Sequence, residues 1–217
     1  MNIKVNNVNL YYEVQGKGNP LILLHGNREN NKIFDKLVDC LKNKYTVYSI
    51  DSRCHGKSEN TKIISYDLMC DDIICFIKEL KIKKPILYGF SDGGIVGLLI
   101  AIKEPNILKK LIVSGPNLYP KGFKLSMLLY CRYGYFKTKN KLFKLMLEKP
   151  NIKVEELHKI KIPTVLIVGS NDIVKEKHTK LIVDNINNCK FERVKKATHS
   201  SYVVYNKKLY EILKKYL

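Results

Sequence analysis

The chain has 217 residues, enough for one well-buried core and short for two full domains. An apolar content of 45% is that of an ordinary globular protein, and the longest apolar run, 95–102, is far too short to span a bilayer. The formal charge of +19 invites a polyanionic partner, but the excess is nearly all lysine spread along the chain, with arginine only at 28, 53, 132 and 193; this argues against a specific phosphate- or base-reading site and leaves non-specific polyanion binding at low salt.

Residues 3–5 and 8–14 read as two short strands around Asn6-Asn7. After a Gly/Pro turn at 16–20, Leu21-Ile22-Leu23-Leu24 is an apolar strand ending in His25-Gly26-Asn27. Residues 33–41 carry helical spacing, 45–50 form the next strand, and 68–80 are amphipathic. The stretch 85–101 stands out. It begins as a short apolar strand, reads Gly89-Phe90-Ser91-Asp92-Gly93, and continues as an apolar helix. A serine on a sharp strand-to-helix turn exposes its hydroxyl above the sheet, and small residues two before and two after it relieve the backbone crowding there. The helix start aims its free N–H groups at the same point, so the Asp92 N–H is a ready oxyanion donor and the Asn27 N–H is its expected partner.

Beyond the helix, 111–113 is a strand closed by Ser114-Gly115-Pro116. Residues 117–151 show no strand; they are rich in Tyr, Phe, Leu and Met with lysines between, and read as about two inserted helices. The β/α rhythm resumes with a strand at 162–169, then Ser170-Asn171-Asp172, a helix through 186, a strand at 190–194, a loop holding His199, and a C-terminal helix at 207–217. Strands alternating with helices at crossover spacing predict a mostly parallel α/β sheet. A serine nucleophile needs a base, and the base needs an orienting carboxylate. In an open sheet these groups come from loops at the carboxyl ends of strands, where Asp172 and His199 stand.

The motifs together resemble the α/β-hydrolase superfamily along most of the chain. The matching pieces are Leu24-His25-Gly26, Asp51-x-Arg53-x-His55-Gly56-x-Ser58, Gly89-Phe90-Ser91-Asp92-Gly93-Gly94, Ile162-Pro163-Thr164 through Asp172, and His199. The resemblance implies Ser91 as nucleophile, His199 as base then acid, and Asp172 as the carboxylate that holds His199. It also implies a core of 1–116 and 152–217 with a short helical cap at 117–151. Cap aromatics Tyr130, Tyr133 and Phe136 are then expected to line the acyl site. Where the family usually has glycine, this chain has Cys54; a loop with a structural Cys54 and His55 is the preferred reading over a second, thiol nucleophile. His25 is expected to support the oxyanion loop, and His158 and His178 to lie on the surface.

The leading functional reading is a hydrolase cleaving an ester or thioester of small to medium acyl or aromatic groups. Carbon–carbon bond hydrolysis or a lyase step with the same triad is the alternative enzyme reading. A non-catalytic receptor or scaffold is the alternative of another class. No Cys/His spacing suggests a metal site, and no cofactor is expected. The N-terminus carries no secretory h-region and the six cysteines read as reduced thiols, so a cytoplasmic protein is expected, with a small-molecule substrate.

Overall fold

The apolar runs form one eight-stranded sheet in the computed structural model of the chain, which describes residues 1–217. In chain order the strands are β1 (Asn2–Val5), β2 (Val8–Gln15), β3 (Asn19–Leu24), β4 (Tyr45–Ile50), β5 (Ile86–Phe90), β6 (Lys110–Ser114), β7 (Thr164–Asn171) and β8 (Cys189–Thr198). Their order in space is β1-β2-β4-β3-β5-β6-β7-β8. The hairpin strand β1 pairs antiparallel with β2, and β2 antiparallel with β4; every later junction is parallel.

Helices cover both faces, which is why β3 is apolar and buried at each position from Leu21 to Leu24 rather than at alternate ones. Leu21 and Leu23 point into a core shared with α1 (Asp35–Leu41) and α7 (Lys208–Leu213). Ile22 and Leu24 point the other way, into a core shared with α2 (Tyr66–Glu79), α3 (Asp92–Lys103) and α6 (Glu176–Asp184). Between β6 and β7 the chain makes α4 (Leu125–Thr138) and α5 (Lys141–Glu148), flanked by short 3-10 turns. These two helices meet over a small third cluster of Phe123, Cys131, Phe143, Met146 and Val174.

Three elements differ from the sequence expectation; the C-terminal helix, expected at 207–217, is Lys208–Leu213. The helix expected at 33–41 opens as a 3-10 turn, Asn31–Phe34, because the Asn30 side chain caps the Lys32 N–H one turn early. Strand β8 runs to Thr198 rather than stopping at 194. As an edge strand it is half covered, so lysines interrupt its alternation and hide its length. The extension places His199 directly at the strand's end.

The loop after β4 is held from below. Arg53 donates from Nε to Asp72 Oδ2 at 2.6 Å and from Nη2 to Oδ1, while the Asn6 amide donates to Oδ1 at 2.8 Å. Next to it Cys54 sits at φ 64, a backbone region where glycine is at ease, and its thiol lies 3.3 Å from the Thr61 hydroxyl.

Candidate active site

Ser91 tops β5 with φ 52 and ψ −112, outside the ordinary helical and extended regions. Crowding around it explains the glycines. A Cβ at position 89 would lie 2.2 Å from the Gly93 carbonyl oxygen, and one at 93 would lie 2.3 Å from that of Leu24. The Ser91 N–H donates to Ser114 O at 2.8 Å and the Gly93 N–H to His25 O at 3.1 Å. The Asp92 N–H between them donates to no protein group, and neither does the Asn27 N–H at the end of β3.

The loops after β7 and β8 complete a relay. His199 Nδ1–H donates to Asp172 Oδ1 at 2.7 Å, and the Ser91 hydroxyl donates to His199 Nε2 at 3.0 Å. The tautomer is assigned from the carboxylate, which accepts only. Asp172 is buried and accepts two further bonds, from the Val174 N–H at 3.0 Å and the Gly169 N–H at 3.3 Å. Burial pushes its carboxyl up; the His199 bond and the two N–H donors more than reverse that, and the net position is below the ordinary carboxylate range. Gly115, at φ 60, gives the ring its room: a Cβ there would lie 2.5 Å from His199 Cε1.

Support comes from behind the nucleophile. The Asp92 carboxylate, fully buried, accepts from the Asn27 amide at 2.9 Å and the Tyr66 hydroxyl at 2.8 Å, so it ties the loop after β3 to α2. His25 accepts the Ser52 N–H at Nε2 and faces the Gly26 carbonyl with Nδ1, which makes it the neutral tautomer. Burial and the neighbouring His55 push its pKa down to about 3, so the ring stays neutral. His55 is buried too, with Nδ1 on the Arg53 carbonyl. Cys54 does not line the cleft. No three His, Cys, Asp or Glu side chains come together to hold a metal ion.

The cleft above Ser91 has a volume of about 190 Å³ and is open to solvent. Its floor is Ser91, His199 and Phe90; its wall is Met127, Tyr130, Phe143, Met146 and Ile173. Here two expectations fail. Tyr130 lines the cleft, but Tyr133 and Phe136 do not; they are 63% and 70% exposed on the outer side of α4. The inner side is taken by Met127, Cys131 and Gly134, and Gly134 is small because the Phe143 ring lies against it. The wall is therefore shared between α4, through Met127 and Tyr130, and α5, through Phe143 and Met146, and the α5 pair is not marked as a wall by sequence alone. His178 is a third correction. It is buried rather than on the surface, its Nε2 accepting the Leu118 N–H at 2.9 Å, and burial pushes its pKa down to about 4. His158 is exposed, as expected.

Glu29 went unnoticed in the sequence. It lines the cleft beside Ser91 and accepts the Gly26 N–H at 2.9 Å. Its only signal was position: an acid three residues after the glycine of the His-Gly turn, within reach of that N–H. Burial pushes its carboxyl up to about 7, and the Gly26 bond offsets this only in part. The unfolded chain ionises this group near 4.5, so between there and about 7 the folded state holds the extra proton. Stability accordingly falls as pH rises through that window. Glu29→Gln is expected to remove that fall. In thermal melts from pH 5 to 8, wild type should lose on the order of 1–2 kcal/mol more than the variant, given partial solvent screening. Parallel curves would place the Glu29 carboxyl in water.

A mostly parallel sheet with flanking helices and a serine at a strained strand-to-helix turn defines an α/β-hydrolase. The chain belongs to the family described as "Serine aminopeptidase, S33", whose model matches residues 18–132, more than half of its length. That stretch includes Ser91 and the loop after β3 and ends before Asp172 and His199. An sn-1-specific diacylglycerol lipase ABHD11 from Danio rerio is 37% identical over 111 residues, 49% of this chain and 35% of the lipase. Ethanol acetyltransferase 2 of Hanseniaspora uvarum is 38% identical over 90 residues, 41% of this chain and 26% of that enzyme. In both cases the match spans well under half of the relative's own length. Among solved structures, an esterase from Exiguobacterium antarcticum superposes with a TM-score of 0.87 at 20% identity, covering 100% of this chain and 98% of the esterase, which is a likeness of fold. No helix is long and apolar enough to cross a membrane.

Proposed function

We propose that the chain is a serine hydrolase that cleaves a carboxylic ester or thioester of a small to medium acyl or aromatic group through an acyl-enzyme. The observation that carries this reading is the unbroken relay from Ser91 Oγ through His199 to Asp172, at 3.0 and 2.7 Å. Ser91 attacks the carbonyl carbon as His199 Nε2 takes its proton, and Asp172 stabilises the imidazolium that forms. The tetrahedral oxygen is received by the Asn27 and Asp92 N–H groups, which no protein acceptor occupies. His199 then protonates the leaving alcohol or thiol, and water repeats the sequence on the acyl-enzyme. No step calls on a metal or cofactor. Two relatives whose names denote acyl chemistry, a lipase and an acetyltransferase, support the same reading.

Residues 117–151 act as a short cap in this proposal, with α4 and α5 together supplying the acyl wall. A cleft of about 190 Å³ is below the usual range for drug-sized ligands, which favours short acyl chains. The test is a fluorophosphonate probe, which should label Ser91, followed by p-nitrophenyl and thioester substrates of graded acyl length. No labelling of folded protein would sink the enzyme reading in favour of a receptor or scaffold. Phe143→Ala or Met146→Ala should shift the kcat/KM preference towards longer chains by about 1–3 kcal/mol. Unchanged ratios would move the acyl site out from under α5.

A further inference from the structure

The outer face of α4 is apolar where a solvent-facing helix side is normally polar. Leu125, Leu129, Tyr133 and Phe136 recur at spacings of four, four and three, one line along a helix. They are 66%, 52%, 63% and 70% exposed. With Tyr130 they make up half of the large apolar side chains that the whole chain exposes, so this is a patch rather than scatter. The helix thus has two apolar sides: one packed on α5, the other covered by nothing in this chain.

Charge says what covers it. The segment 117–151 carries eight Lys and Arg against a single acid, Glu148. The cations also sit at the stripe itself. Lys137 Nζ lies 5.7 Å from the centre of the Tyr133 ring, and Lys139 Nζ lies 5.4 Å from that of Phe136. Rings and leucines that protrude, with ammonium groups beside them, match the boundary of a bilayer: acyl chains take the apolar side chains and lipid phosphates take the lysines. A second copy of the chain would bring the same positive face and be repelled.

We infer that the exposed stripe of α4 docks on an anionic phospholipid surface. Tyr130 joins the stripe to the rim of the cleft, where its hydroxyl accepts from Arg28 Nη2 at 2.7 Å, so docking brings the mouth of the cleft close to the lipid. The inference stands independently of the ester-hydrolase reading. The chain has no Trp, so Leu129→Trp supplies a single reporter. Its emission should shift to the blue with vesicles of phosphatidylcholine and phosphatidylserine, and not with phosphatidylcholine alone. In co-sedimentation at physiological salt, Leu125→Gln/Leu129→Gln should bind the anionic vesicles at least about tenfold more weakly than wild type. Its circular dichroism and its turnover of a soluble acetate ester should be unchanged. Wild-type protein that fails to bind, a reporter that stays water-exposed, or a double variant that binds as well as wild type would each overturn the inference; the last would leave adsorption to the diffuse charge. A wild-type dimer in gel filtration that the double variant dissolves would also overturn it, by assigning the stripe to a second copy.

Discussion

Ser91→Ala is expected to lower kcat for a small ester by about a million-fold, and His199→Ala by a similar factor. The two act as one device. Without the hydroxyl there is no acyl-enzyme; without the ring the hydroxyl keeps its proton. The double variant should therefore be little worse than either single one, since the second loss removes a group that had already lost its function. Ser91 is a clean site for this measurement. Its side chain caps nothing in α3, and alanine bears the same φ of 52 as serine does, so the melting temperature should barely move. The decisive readouts are kcat in a soluble ester assay and fluorophosphonate labelling of matched, folded preparations. Turnover near wild type in Ser91→Ala would remove the nucleophile assignment, and labelling that persists would point to another residue.

The parts of the site that were legible in the sequence are those whose chemistry leaves a mark in the local pattern. Gly89 and Gly93 bracket Ser91 because a Cβ at either would overlap backbone, and that constraint is visible as a motif. Asp172 and His199 were readable because parallel strands put their useful loops at one end of the sheet. What could not be read depends on how separate elements meet. The Asp92 carboxylate joins Asn27 to Tyr66, residues on a loop and a helix that share no spacing with it. The wall was misplaced for a related reason. Helix α4 has apolar residues on two sides, so periodicity cannot tell which side faces the cleft; Gly134 marks the inner one, but only once the Phe143 ring is seen against it. His178 looked like a surface histidine because nothing local shows the Leu118 N–H that reaches it from sixty residues away.

Asp172 should separate two effects that one substitution usually mixes. Asp172→Ala is expected to cost about ten-thousand-fold in kcat, since it removes both the charge facing the imidazolium and the acceptor that fixes the ring. Asp172→Asn is expected to cost about tenfold less than that here, because the amide oxygen can keep the bonds that Oδ1 makes. The reason lies in the two oxygens. Oδ1 accepts from His199 Nδ1 at 2.7 Å and from the Val174 N–H at 3.0 Å, whereas Oδ2 accepts only from the Gly169 N–H, at 3.3 Å. An asparagine has one oxygen to place. Put at the Oδ1 position, it keeps two good bonds and opposes one weak donor; turned over, it sets its NH2 against the Val174 N–H and against the proton on Nδ1. The first arrangement keeps the proton on Nδ1 and leaves Nε2 free to take the serine proton, so only the charge is lost. Kinetics of the two variants, with pH profiles of kcat/KM, measure the difference. Equal losses would mean that the amide has turned over and the ring has taken the wrong tautomer, against the balance of bonds that the Val174 and Gly169 N–H groups set.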